Sequence, residues 1–162
     1  MSIADVLLTA SVVATGLTAG LFYGWVVSVI PGTSRLESRE YVTLMQHINR
    51  EILTPRFLVL FAGVPVLLAA TAIAQFRSGD QHRGLLVLGS TIIYTIGVFG
   101  ITATRNVPLN DTLEAFDLAT ATERDIEEER AAYESTWNRW NAARAVANSA
   151  ALVLVAAAAV LA

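Results

Sequence analysis

Four stretches of the chain are apolar on every face. They run from Ile3 to Ile30, from Phe57 to Phe76, from Gly84 to Thr104 and from Ala142 to Ala162. A helix crossing the hydrocarbon core of a bilayer takes about 20 mostly apolar residues, and each run meets that length. A soluble helix would break such a run with polar side chains every turn or two. Here Gly, Ser and Thr are the main relief, and the middle of each span reads as nearly bare of polar groups. The pattern predicts an all-α, integral membrane four-helix bundle, with residues 1–162 forming one transmembrane domain. Asp5 stands near the start of the first run, Pro31-Gly32 end it, and Arg144 lies just inside the fourth. Gly16, Gly20 and Gly24 make a small-xxx-small ladder on the first span, a spacing that lets helices approach closely in lipid, within the bundle or between copies of the chain.

The connections differ in kind. Residues 77–83 are a short polar turn. Residues 31–56 and 105–141 form long extramembrane segments. In the first, Tyr41, Leu44, Met45, Ile48 and Ile52 recur at helical spacing, which predicts an amphipathic helix near 38–53 between spans one and two. In the second, Pro108 disfavours helix at Val107. Asn106 to Asn110 therefore reads as a turn, with Asn110 as the N-cap of a helix whose first turn holds Asp111 and Glu114. Thr122 with Asp125 three residues on is a helix-start signal, and no Gly or Pro follows before the C-terminus. One helix from about 123 to 162 is predicted, roughly 60 Å long at 1.5 Å per residue, so its first half stands out of the membrane.

Composition supports this reading. The chain is 54% hydrophobic and 15% charged, against about 25% charged in an ordinary soluble domain. A net charge of −3 with no basic stripe argues against nucleic acid as a partner. Cys is absent, which removes disulfides and thiolate chemistry, and every basic residue is Arg. The first run has no Arg before it and is too long for a cleaved signal peptide; it reads as an uncleaved anchor, with the bacterial plasma membrane as the expected location. Nine of the eleven basic residues lie on the side of the long connections, which the positive-inside rule assigns to the cytoplasm.

Candidate chemistry gathers at that same side. Gln46, His47, Asn49, Arg50 and Arg56 flank the first long connection, Asn106 follows the third span, and Trp137, Trp140, Asn141 and Arg144 open the fourth. The last four are spaced i, i+3, i+4 and i+7, with Tyr133 one turn before them. Two indoles, a carboxamide and a guanidinium on one face suit a flat aromatic ligand. The same residue types also serve as interfacial anchors and snorkelling charges. His47 is the candidate general base, histidine being the side-chain type whose ordinary range lies nearest neutral pH, although a solvated surface histidine is the blander and favoured reading of its place on the polar flank. His82 sits in the opposite turn with no evident role. Two His and no Cys make a protein-built zinc or copper centre unexpected, and neither a phosphate-binding Gly loop nor a Gly-x-Ser-x-Gly elbow occurs.

Four segments together resemble the anthrone oxygenase family of small membrane proteins. They are Gly20-Leu-Phe-Tyr-Gly-Trp25 running to Ser28-Val-Ile-Pro-Gly32, Met45-Gln-His-Ile-Asn-Arg50, Asn106-Val-Pro-Leu-Asn110, and Trp137-Asn-Arg-Trp-Asn141 with Arg144. The resemblance implies a four-span helical protein. For the characterised branch it implies oxidation of an anthrone to a quinone by O₂ with no metal or flavin cofactor. It implies membrane lipid, O₂ and a hydrophobic aromatic small molecule as partners. The resemblance carries over Asn49, Asn106, Trp137, Asn141 and Arg144, and not His47, where the family often has a small residue. Joined to the candidates read from the residues themselves, the enzyme reading takes Arg144, Asn141, Asn106 and His47 as catalytic and Trp137, Trp140, Asn49, Arg56 and Tyr133 as substrate-binding. A non-catalytic protein that binds a lipid or quinone, or organises a membrane partner, is the alternative.

Overall fold

A computed structural model describes residues 2–161. Among these residues the chain forms five helices: α1 (Ile3–Thr33), α2 (Ser38–Glu51), α3 (Pro55–Arg77), α4 (Gln81–Ala115) and α5 (Glu123–Val160). Helices α1, α3, α4 and α5 are each long and apolar enough to cross a membrane. Each packs on two neighbours, α1 and α4 both lying between α3 and α5, which closes a four-helix bundle. The chain is an integral membrane protein of four spans.

Local chemistry starts each helix where it starts. The Ser2 and Thr122 hydroxyls accept from the backbone N–H of Asp5 and Asp125, whose carboxylates accept in return, so α1 and α5 begin with capping boxes. Thr54 caps α3 ahead of Pro55, and Asp80 caps α4. The short turn between α3 and α4 uses Gly79 at φ +90°, a conformation that L side chains rarely adopt. Helix α5 runs unbroken as expected, and its extramembrane half packs against α2 and the end of α4 around Tyr41, Met45, Leu113, Ile126 and Tyr133.

Three expectations need correction. First, neither Pro31 nor Pro108 ends its helix. Residues Trp25–Val29 and Thr102–Asn106, just before each proline, are π-helical, with Ile30 N–H bonded to the Trp25 carbonyl and Val107 N–H to the Thr102 carbonyl. A proline clashes with the carbonyl four residues earlier; widening the preceding turn moves that carbonyl aside and lets the helix continue. Asn110 therefore lies inside a helix and caps nothing.

Second, mid-membrane is not bare. Ser11, Thr15, Thr18, Thr71, Ser90 and Asn148 are all buried. Ser11 Oγ lies 2.8 Å from Thr71 Oγ1, Asn148 Nδ2 donates to Thr18 Oγ1 at 3.0 Å, and Ser90 Oγ donates to the Ala151 carbonyl at 2.8 Å. These small groups join helices across the bundle. Third, within the bundle the Gly16-Gly20-Gly24 ladder is not the close seam. A Cβ at Gly20 or Gly24 would meet nothing within 4 Å, whereas one at Gly97 would fall 2.6 Å from the Ala147 Cβ, so α4 and α5 make the tight approach.

Candidate functional site

The π-helical segments Trp25–Val29 and Thr102–Asn106 sit at one rim of the bundle and turn their first residues, Trp25 and Thr102, into a common pocket. Asn49 enters it from α2, Phe57 from α3, Asn110 from α4, and Trp137, Asn141 and Arg144 from α5. Its volume is about 100 Å³. An adjoining cleft of about 220 Å³ shares Asn49, Ile52, Leu53, Val107 and Asn110 and opens outward past Arg50, Asp111 and Glu114. The inner pocket is therefore apolar with a few convergent polar groups, and its mouth is charged.

Arg144 dominates the inner end. It is only 6% exposed. Its Nη2 donates to Asn141 Oδ1 at 2.9 Å and its Nη1 to Thr102 Oγ1 at 3.1 Å. The guanidinium lies 4.7 Å from the Phe22 ring centre and 5.6 Å from that of Trp137. Among the described residues no carboxylate reaches it. Ring faces return about 0.5–2 kcal/mol each to a cation, while burying an ion costs several kcal/mol. The site holds a positive charge without its counter-charge.

Several donors beside it are idle. Arg144 Nε, Asn141 Nδ2 and Asn49 Nδ2 are buried and make no hydrogen bond among the described residues. Most buried polar atoms are satisfied, so three unsatisfied donors on residues of one pocket mark a place for an acceptor-bearing ligand. The aromatic wall is held firmly. Asn110 Oδ1 accepts from the Tyr133 hydroxyl at 3.0 Å and from Trp137 Nε1 at 2.8 Å, and the Trp137 indole packs on that of Trp25 at 5.1 Å between centres. Burial pushes the Tyr133 phenol well above its ordinary range, so it stays a neutral donor to Asn110.

The structure brings together Asn49, Trp137, Asn141 and Arg144 in the pocket, with Tyr133 behind the wall. Asn106 is buried in the segment of α4 that packs on α5, and both of its side-chain polar atoms are unpartnered, but it does not line the pocket. His47 and Arg56 are exposed and outside it. Trp140 is also outside. At 100° per residue it lies about 60° to one side of Trp137 while Asn141 lies 40° to the other, and its ring lies against the Arg105 guanidinium of α4. Among the lining side chains only Arg144 is titratable, so no general base faces the pocket. Trp25, Phe22, Thr102 and Asn110 are participants that spacing alone did not select. Asn110 lies one turn after Asn106 and would have been placed on a helix face had the helix been carried through Pro108.

A model of the family described as anthrone oxygenase matches residues 56–161. The chain belongs to the anthrone oxygenase family. The match covers α3, α4 and α5, and so Thr102, Asn110, Trp137, Asn141 and Arg144; the α1 and α2 contributions, Phe22, Trp25 and Asn49, lie outside it. No curated protein matches the chain, and no solved structure does.

Proposed function

We propose that this protein oxidises an anthrone-like aromatic substrate to the quinone with O₂, in the pocket around Arg144. The observation that carries the reading is a buried guanidinium with no counter-charge, flanked by idle amide donors and aromatic walls. Planar rings enter along Trp25, Phe57 and Trp137, and the substrate's ring oxygen meets Arg144 and Asn141. The inner pocket alone is too small for three fused rings, so the substrate extends into the adjoining cleft; together they approach the size of ordinary ligand sites.

The chemistry then follows from charge. Loss of one proton from the central methylene gives an aromatic enolate, whose negative oxygen pairs with Arg144 in a low-dielectric setting. With no base facing the pocket, the acidifying agent is that charge, and the proton leaves through the cleft to water. The electron-rich enolate carbon reduces O₂ and bonds to it, giving a hydroperoxide. Elimination of water breaks the O–O bond and leaves the carbonyl. One O₂ is consumed per quinone; the methylene gives up four electrons, and the second oxygen atom departs as water. Membrane lipid supplies both O₂ and an apolar substrate.

The test is O₂ uptake and quinone absorbance with the purified protein in lipid nanodiscs and an anthrone. The proposal expects one O₂ per quinone, well above the rate in empty nanodiscs. Equal rates would overturn it, and saturable binding without O₂ consumption would favour a lipid- or quinone-binding protein instead.

A further inference from the structure

Trp140 has no part in the pocket, yet two guanidinium groups that lack a carboxylate partner among the described residues gather at its ring. The Arg105 guanidinium lies 5.1 Å from its ring centre and that of Arg139 lies 5.4 Å away. Arg39, Arg50, Arg83, Arg124 and Arg130 each have a carboxylate within 4 Å. Among the described residues Arg105 and Arg139 have none, though the chain is net acidic; Arg35, Arg56 and Arg77 have none either, but none of those three lies over an aromatic ring. A cavity of about 270 Å³ opens beside them, with Thr136 and Pro108 on its walls and no acid in its lining.

Depth decides what such a site meets. Arg105 follows the third apolar run directly, and Arg139 and Trp140 precede the fourth by two or three residues. Both ends therefore stand at the headgroup level, where indoles prefer to lie. Two guanidinium groups gather at one indole ring, and among the described residues neither donates a hydrogen bond, so their N–H groups are free for a phosphate, which arginine grips through paired hydrogen bonds. A lone snorkelling Arg needs neither a second Arg, nor a shared ring, nor a cavity. We propose that Arg105, Arg139 and Trp140 form a binding site for the phosphodiester of an anionic phospholipid in the surrounding bilayer. The cavity shares no lining residue with the Arg144 pocket, and the proposal is independent of what that pocket turns over.

The experiment follows thermal stability of the purified protein in a neutral detergent while phosphatidylglycerol, phosphatidylcholine or inorganic phosphate is added. Phosphatidylglycerol should raise the melting temperature saturably, while phosphatidylcholine and millimolar phosphate should not. An Arg near an anionic membrane surface contributes about 1 kcal/mol, or about fivefold. The half-saturating phosphatidylglycerol concentration should thus rise about fivefold in Arg105→Gln and in Arg139→Gln, and about 25-fold in the double variant. Arg124→Gln, an exposed change elsewhere on α5, should leave it unaltered. An undiminished response in the double variant, an equal response to phosphatidylcholine, or an equal response to inorganic phosphate would each overturn the proposal. These exposed side chains carry no core packing, so the variants stay measurable.

Discussion

Replacing Arg144 by Lys separates a ligand-holding guanidinium from a charge that merely tolerates the membrane edge. In the structure Arg144 spends Nη2 on Asn141 and Nη1 on Thr102 and keeps Nε idle. A lysine carries one nitrogen on a shorter stem. It cannot hold both partners at their present positions and still offer a donor in the plane of a substrate oxygen. Removing one such donor from a developing oxyanion costs about 2.7–4 kcal/mol, or 10²–10³ in kcat. The charge itself survives, so the folded state changes far less. For a chain of this size 1 kcal/mol moves the melting temperature by about 2–4 °C, and Arg144→Lys should stay within about that range. Turnover of an anthrone in nanodiscs, read as O₂ uptake alongside a thermal melt, gives both numbers. A snorkelling arginine would be replaced by lysine without loss. Activity within threefold of the parent, at unchanged stability, would refute the assignment of Arg144.

Asn110→Ala leaves the Tyr133 hydroxyl and the Trp137 indole N–H without an acceptor. It should cost about 2 kcal/mol in stability and loosen the aromatic wall, visible as a broadened Trp fluorescence and a raised KM. Gly97→Ala places a Cβ 2.6 Å from that of Ala147 and should destabilise the bundle by about 1–3 kcal/mol in thermal melts, because two helix backbones must part. Burial raises the phenol pKa of both Tyr41 and Tyr133 above the usual value near 10. The neutral forms are favoured only in the folded state, so their contribution is complete below pH 10 and is lost as pH rises above it. Melts between pH 7 and pH 11 should show an alkaline fall that Tyr133→Phe reduces.

Much of the architecture was legible because it depends on local or periodic signals. Four apolar runs, the Thr122–Asp125 cap and the absence of Gly and Pro after it were enough to place the spans and the protruding α5. The amphipathic α2 followed from its 3.6-residue stripe. What stayed hidden depends on neighbours. Pro108 reads as a break because the rule for proline concerns its own turn, and the π-helical widening that absorbs it is a property of the packed helix. Asn110 thereby looked like a cap when it is the acceptor that orients Tyr133 and Trp137. Trp140 shares spacing with Trp137 and Arg144, yet a 60° offset is enough for a different neighbour, Arg105, to take its ring. The mid-membrane polar groups are few in any one span, and only assembly shows that Ser11, Thr18, Thr71 and Asn148 all turn inward.

The most direct test of the central claim is a turnover of an anthrone under ¹⁸O₂ by the purified protein in nanodiscs, with the quinone and the water analysed by mass. The parent protein should form quinone carrying one ¹⁸O at the former methylene carbon, with the other ¹⁸O in water, and Arg144→Lys should form it at least 100-fold more slowly. Quinone formed no faster than in empty nanodiscs, or labelled from solvent and not from O₂ under conditions where the carbonyl does not exchange, would contradict that claim.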